Sequence, residues 1–158
     1  MLCSLQSWGQ TWVTISLNPR VRADFPSQPE IQKAGNVKIF QILDSAYIIN
    51  VATNDMTQNE KFKVRPEQIG VFYKGVIKGA LDAATNSKLL DEKKIEIDGL
   101  EAREIKYTKD FNGMIGMHVT KRILLLDKVI FIFDVWDLTG KGQEALTEKL
   151  FKSISVTP

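Results

Sequence analysis

From Pro66 onward the apolar residues fall at helical spacing, with Ile69, Phe72, Tyr73, Val76, Ile77, Ala80, Leu81 and Ala84 separated by steps of three and one. That spacing places them on one broad stripe of a helix over about residues 66–86, with Lys74, Lys78 and Asp82 outside it. Proline suits the first helical turn, where its missing N–H has no partner to lose. Gly70, Gly75 and Gly79 lie on or beside this helix. Each costs about 1 kcal/mol relative to alanine in a helix interior, so close approach of the helix to a sheet is their expected use.

Most of the remaining chain has strand character. Residues 12–17 and 21–25 read as two strands about an Asn18-Pro19 stop, and Pro26 and Pro29 hold the next segment extended. Residues 37–43 and 47–52 read as a hairpin turning at Asp44-Ser45-Ala46, and polar residues 54–63 as a loop. Residues 89–97 read as a strand that a tight turn at Asp98-Gly99 leads into the next. Residues 100–109, 117–126 and 129–136 read as an antiparallel meander with turns at Asn112-Gly113 and Asp127-Lys128. Residues 129–133 are apolar on both faces, which predicts a central strand covered from both sides. A short helix over about residues 143–152 turns Leu146, Leu150 and Phe151 inward, and residues 153–156 can add a terminal strand. The expected fold is α+β, an α/β/α sandwich. Its central, mostly antiparallel sheet is covered by the long helix and the C-terminal helix.

A chain of 158 residues with 44% hydrophobic and 25% charged positions is ordinary for one globular domain, large enough to hold together without a disulfide or metal. The 21 basic and 19 acidic residues nearly cancel, and no basic block stands out, so nucleic acid is not an expected partner. No apolar run approaches the ~20 residues of a transmembrane helix. Residues 1–9 are apolar and uncharged, and Ser7-Trp8-Gly9 is a small-x-small triplet. This pattern resembles the tail of a secretory signal peptide, with Gln10 opening the mature domain of residues 10–158. Export to the periplasm or the medium is the expectation, and cytoplasmic residence stays open. Cys3, the single cysteine, falls within the remnant.

Asp24-Phe25-Pro26 with Pro29, followed by Tyr47 on a later strand, resembles the opening of the PsbP-like superfamily. Asp98-Gly-Leu-Glu-Ala-Arg103, Arg122 before an apolar hairpin and Phe151-Lys-Ser153 are similar to it as well. That superfamily includes extrinsic photosystem II subunits, a Ran-binding nuclear import factor and bacterial envelope proteins without known function. The resemblance implies an α/β/α sandwich used as an accessory or binding module, with no shared catalytic residues.

The candidate chemistry is sparse. His118, the one histidine, has no second histidine or free cysteine nearby to build a metal site, and reads as a sheet-surface residue. Asp127, Asp134 and Asp137 crowd the last hairpin without a spaced Asp-x-Asp-x-Asp loop. If Asp127-Lys128 is a two-residue turn, Lys121 faces Asp134 as a cross-strand ion pair and Arg122 lies beside Phe133. Gly140-Lys-Gly142 resembles a fragment of an anion nest but reads as a loop leading into the last helix. If Asn112-Gly113 is a plain two-residue turn, Arg103 faces Arg122 and Tyr107 faces His118, which would make Arg103, Arg122 and Tyr107 an anion-binding notch. A bulge at Gly116 would instead shift the register and move one arginine to the other face, and Glu101 or Glu104 could neutralise the pair. No catalytic residue, cofactor or metal is expected. The expected role is a non-enzymatic accessory or binding domain of the bacterial envelope, with an unknown protein partner or small ligand. The alternative is a carrier of an apolar or anionic molecule held between the sheet and the long helix.

Overall fold

A computed structural model describes residues 11–158, so the expected signal remnant and Cys3 lie outside the described residues. The strands are β1 (Val13–Ser16), β2 (Val21–Phe25), β3 (Glu30–Ala34), β4 (Val37–Leu43), β5 (Tyr47–Asp55), β6 (Lys88–Ile97), β7 (Leu100–Phe111), β8 (Met114–Leu126), β9 (Val129–Asp137) and β10 (Ser155–Val156). The helices are α1 (Ile69–Ala83), entered through a 3₁₀ turn at Pro66–Gln68, and α2 (Glu144–Ser153). The fold is α+β with antiparallel sheets. Seven strands pair in the order β3-β4-β5-β9-β8-β7-β6, and a separate three-stranded sheet has the order β1-β2-β10.

The second sheet corrects the sequence reading of one central sheet. It depends on β10 pairing with β2 (Ser155 opposite Arg22), a contact between chain ends that no local pattern encodes. Strand β3 was also missed. Its five residues are all exposed at the sheet edge, so no buried face imposes alternation on Glu-Ile-Gln-Lys-Ala.

Strand β9 is fourth of seven, and its two faces enter different cores. Val129, Phe131, Phe133 and Val135 cluster with Val21, Ala23 and Phe25 of the small sheet and with Leu150 and Phe151 of α2. Ile130, Ile132 and Trp136 join the cluster of Tyr73 and Ile77 with Ile105, Val119 and Ile123. The central-strand expectation therefore holds for a plain reason: both sides of β9 are turned to apolar neighbours. The stripe from Ile69 to Ala84 enters the second cluster with the exception of Ala80.

The glycines of α1 correct the expectation of close approach. A Cβ built at Gly70, Gly75 or Gly79 would meet nothing within 4 Å. With no packing gained, their helix-propensity cost stands alone. Gly75→Ala and Gly79→Ala are each expected to stabilise the protein by about 0.5–1 kcal/mol in urea unfolding. A destabilisation would show that these positions contact something in the native state.

Candidate functional site

The β7–β8 hairpin decides the fate of the arginine notch. Asn112 and Gly113 both have positive φ, at 46° and 79°, and form the expected two-residue turn. Beyond it the pairing shifts. Phe111 faces Met114, but Lys109 faces Met117, so Ile115 and Gly116 together oppose Asp110. Gly116 takes φ +66°, and its N–H donates to Asp110 Oδ1 at 2.9 Å, which fixes the bulge. Arg103 then faces Ile123, and Arg122 faces Glu104.

The structure therefore does not bring the notch together, because a one-residue shift sends successive side chains to opposite faces. Arg103 lies on the α1 face, 4.9 Å over the Tyr73 ring and 2.7 Å from Glu101. Arg122 lies on the α2 face, 4.5 Å over the Phe151 ring, with Nε donating to Glu104 at 2.8 Å and Nη1 to the Phe151 carbonyl at 3.2 Å. Its stacking partner is thus Phe151 of α2, although Phe133 is its cross-strand neighbour as expected. Tyr107 is buried on the α1 face, where burial and, secondarily, the Asp134 charge push its hydroxyl pKa upward.

The next hairpin follows the expected register. Lys121 faces Asp134, and its ammonium lies 2.7 Å from Oδ1 and 2.8 Å from Oδ2. Both residues are buried on the face that α1 shares. Nearby, Lys109 Nζ sits 3.4 Å from the Trp136 ring centroid, and burial draws its pKa down against the pull of Asp134. Lys121 and Asp134 form a buried structural ion pair, with Lys109 and Tyr107 close enough to feel its charges.

His118 is exposed in a cleft of about 460 Å³ between β8 and the start of α2, which also holds Lys106, Lys141 and Glu144. Among the described residues its side chain makes no hydrogen bond or ion pair. Asp137 in the same cleft is committed to its own loop. Its Oδ1 accepts from Thr139 N–H at 2.9 Å and Thr139 Oγ1 at 2.7 Å, and its Oδ2 from Gly142 N–H at 2.8 Å. The loop before α2 is thus a nest already filled by a side chain of this protein.

Burial pushes the Asp137 carboxyl upward, but the bonds from Thr139 and Gly142, with Gln143 adding to them, outweigh it and hold the pKa below the usual value. A depressed carboxylate contributes stability that is present above its unfolded pKa, near 3.9, and is lost as pH falls through the folded value. Asp137→Ala is therefore expected to cost about 1–3 kcal/mol at pH 7 and progressively less below pH 4, read from urea unfolding at several pH values. An unchanged cost in acid would contradict the assignment.

A larger cleft, of about 1280 Å³, lies at one end of the seven-stranded sheet and is built from turns and strand ends. The β1–β2 turn contributes Asn18, whose Oδ1 accepts from the N–H groups of Arg20 and Val21 at 2.8 Å each. The β3–β4 hairpin contributes Lys33 and Lys38 about Gly35, which takes φ +60° to close a tight turn. The loop after β5 is fixed by Asp55, which accepts from Thr57 Oγ1 at 2.6 Å and Thr57 N–H at 2.9 Å; these bonds hold its carboxyl below the usual range. Arg20 pairs with Asp127 of the β8–β9 turn, tying the small sheet to the large one. Leu17, Thr53 and Val129 also line it. The sequence reading missed this cleft. The available signal was Lys33-Ala-Gly-Asn-Val-Lys38, in which Gly-Asn is a hairpin dipeptide.

No residue of α1 lines either cleft. Where the carrier alternative places its pocket, the wholly buried Tyr73 donates its hydroxyl to the Glu101 carbonyl at 2.7 Å and accepts from Leu125 N–H at 3.1 Å.

No protein-family profile and no curated protein sequence matches the chain. Solved structures do. The cyanobacterial PsbP protein of Synechocystis superposes with a TM-score of 0.64 at 11% identity, covering 94% of this chain and 94% of its own. The fold is PsbP-like. A Pseudomonas aeruginosa protein of unknown function, PA94, for which a regulatory role has been suggested, gives a TM-score of 0.59 at 12% identity, covering 93% of this chain and 98% of its own. At these identities the likeness concerns the PsbP-like fold alone. Among the described residues, no helix is long and apolar enough to cross a membrane.

Proposed function

We propose that this PsbP-like chain is a non-catalytic accessory domain of the bacterial envelope that works by binding a protein partner. The observation that carries the reading is the open cleft of about 1280 Å³ made from the turns at one end of the sheet. Loops held on a rigid sheet are where binding residues concentrate. Several charged groups, by contrast, serve the fold: Lys121 is spent on Asp134, Arg122 on Glu104, Arg103 on Glu101 and Asp137 on its loop. The one histidine, His118, is unengaged in its cleft, and among the described residues no side-chain partner orients it as a general base. The finer architecture in this reading is an α/β/α sandwich of residues 10–158, and the signal-like residues 1–9 motivate export.

Native mass spectrometry of the protein purified from its source, intact and then denatured, tests both parts. A bare chain beginning at Gln10 is the expected result. A stoichiometric small molecule lost on denaturation would replace the accessory reading with a carrier, and a mature chain retaining residues 1–9 would remove export.

A further inference from the structure

Lys33 and Lys38 are direct cross-strand partners on the hairpin that walls the large cleft. Like charges in that position repel and destabilise the pair. Among the described residues neither forms an ion pair, and Lys61 on the opposite loop forms none. Of the carboxylates lining the cleft, Asp127 is matched by Arg20 and Asp55 is turned to Thr57. Three lysines then stand against Asp55 and Glu60, with the two that face each other concentrated at one wall. Ile31, two residues before Lys33 on the same face of edge strand β3, is 52% exposed and adds an apolar anchor beside them. The cleft exceeds the roughly 300–1,000 Å³ usual for small-molecule pockets, which favours a chain segment as its occupant.

Resting on the accessory-domain reading, we propose that this cleft docks an extended acidic segment of a partner protein, with carboxylates bridging Lys33 and Lys38. Repulsion between the two lysines in the free protein is relieved when an anion sits between them. The hairpin thus carries a feature that costs stability and is repaid on binding.

The test uses the full chain and a fluorescein-labelled octaglutamate peptide, followed by anisotropy at low salt, where surface charge is least screened. Lys38→Glu makes an attractive pair with Lys33, so its thermal midpoint should rise by up to about 3 °C while peptide affinity falls several-fold. Lys33→Glu with Lys38→Glu restores like charges, which removes the gain in midpoint and should weaken the peptide about tenfold or more. Lys74→Glu with Lys88→Glu, an equal charge change at exposed sites outside the cleft lining, should change affinity by less than about twofold. Equal losses in both double variants, or no binding by the unmodified protein, overturn the proposal. So does tighter, hairpin-dependent binding of an eight-nucleotide oligothymidylate. If octaglutamate fails while a partner crosslinks through another face, the cleft inference falls and the accessory reading stands. A copurified small ligand overturns that reading instead.

Discussion

Asp134→Ala is expected to lower the free energy of unfolding by about 3–5 kcal/mol, among the largest losses available to a single side chain here. The reason is the partner left behind. Lys121 is only 6% exposed and reaches both Asp134 oxygens, so removing the carboxylate strands a buried ammonium that also feels the Lys109 charge. Coulomb attraction in the intact pair offsets a desolvation cost of several kcal/mol per ion, and alanine deletes the attraction while the cost remains. Lys121→Met combined with Asp134→Leu removes both charges and is expected to recover most of the loss. Urea unfolding of the two variants checks the pair directly. A loss below about 1 kcal/mol for Asp134→Ala would mean that water reaches Lys121 and the pair behaves as a surface bridge.

Tyr73→Ala is expected to cost about 3–5 kcal/mol, and Tyr73→Phe about 1–3 kcal/mol. The ring is wholly buried, stacks edge-on with Phe72 at 5.2 Å between centroids and lies under the Arg103 guanidinium. The hydroxyl has a specific task. Ala102 and Leu124 are the last paired residues at that end of the β7–β8 ladder, and Glu101 and Leu125 come next along the same register. The Tyr73 oxygen joins them, donating to the Glu101 carbonyl and accepting from the Leu125 N–H. Phenylalanine leaves both groups unpaired beneath α1. Loss of hydrogen-exchange protection at the Leu125 amide in Tyr73→Phe, with the rest of β8 unchanged, is the expected signature. Full protection there would show that another acceptor takes over.

The sequence alone determined those features in which neighbouring positions carry the physics. The three-and-one spacing of α1 and the apolar run of β9 were legible because helix and strand each have one side-chain period. Asp98-Gly99 and Asp127-Lys128 turned where expected. The second of these placed Lys121 opposite Asp134, because a two-residue turn fixes every later pair. The resemblance carried by Asp24-Phe25-Pro26 and its companion motifs led to the PsbP-like fold that the structural comparison shows.

Tertiary structure decided whatever depended on one inserted residue or on contacts between distant segments. The bulge at Gly116 separated Arg103 from Arg122, since a shift of one residue exchanges the faces of a strand. Both registers were compatible with the local pattern, and the Asp110 carboxylate meeting the Gly116 N–H selected one. The second sheet required the two ends of the chain to meet. The cleft required four segments, from Asn18, Lys33, Asp55 and Asp127 onward, to converge at one end of the sheet. No periodicity records such convergence, because it is a property of packing and not of any segment within it.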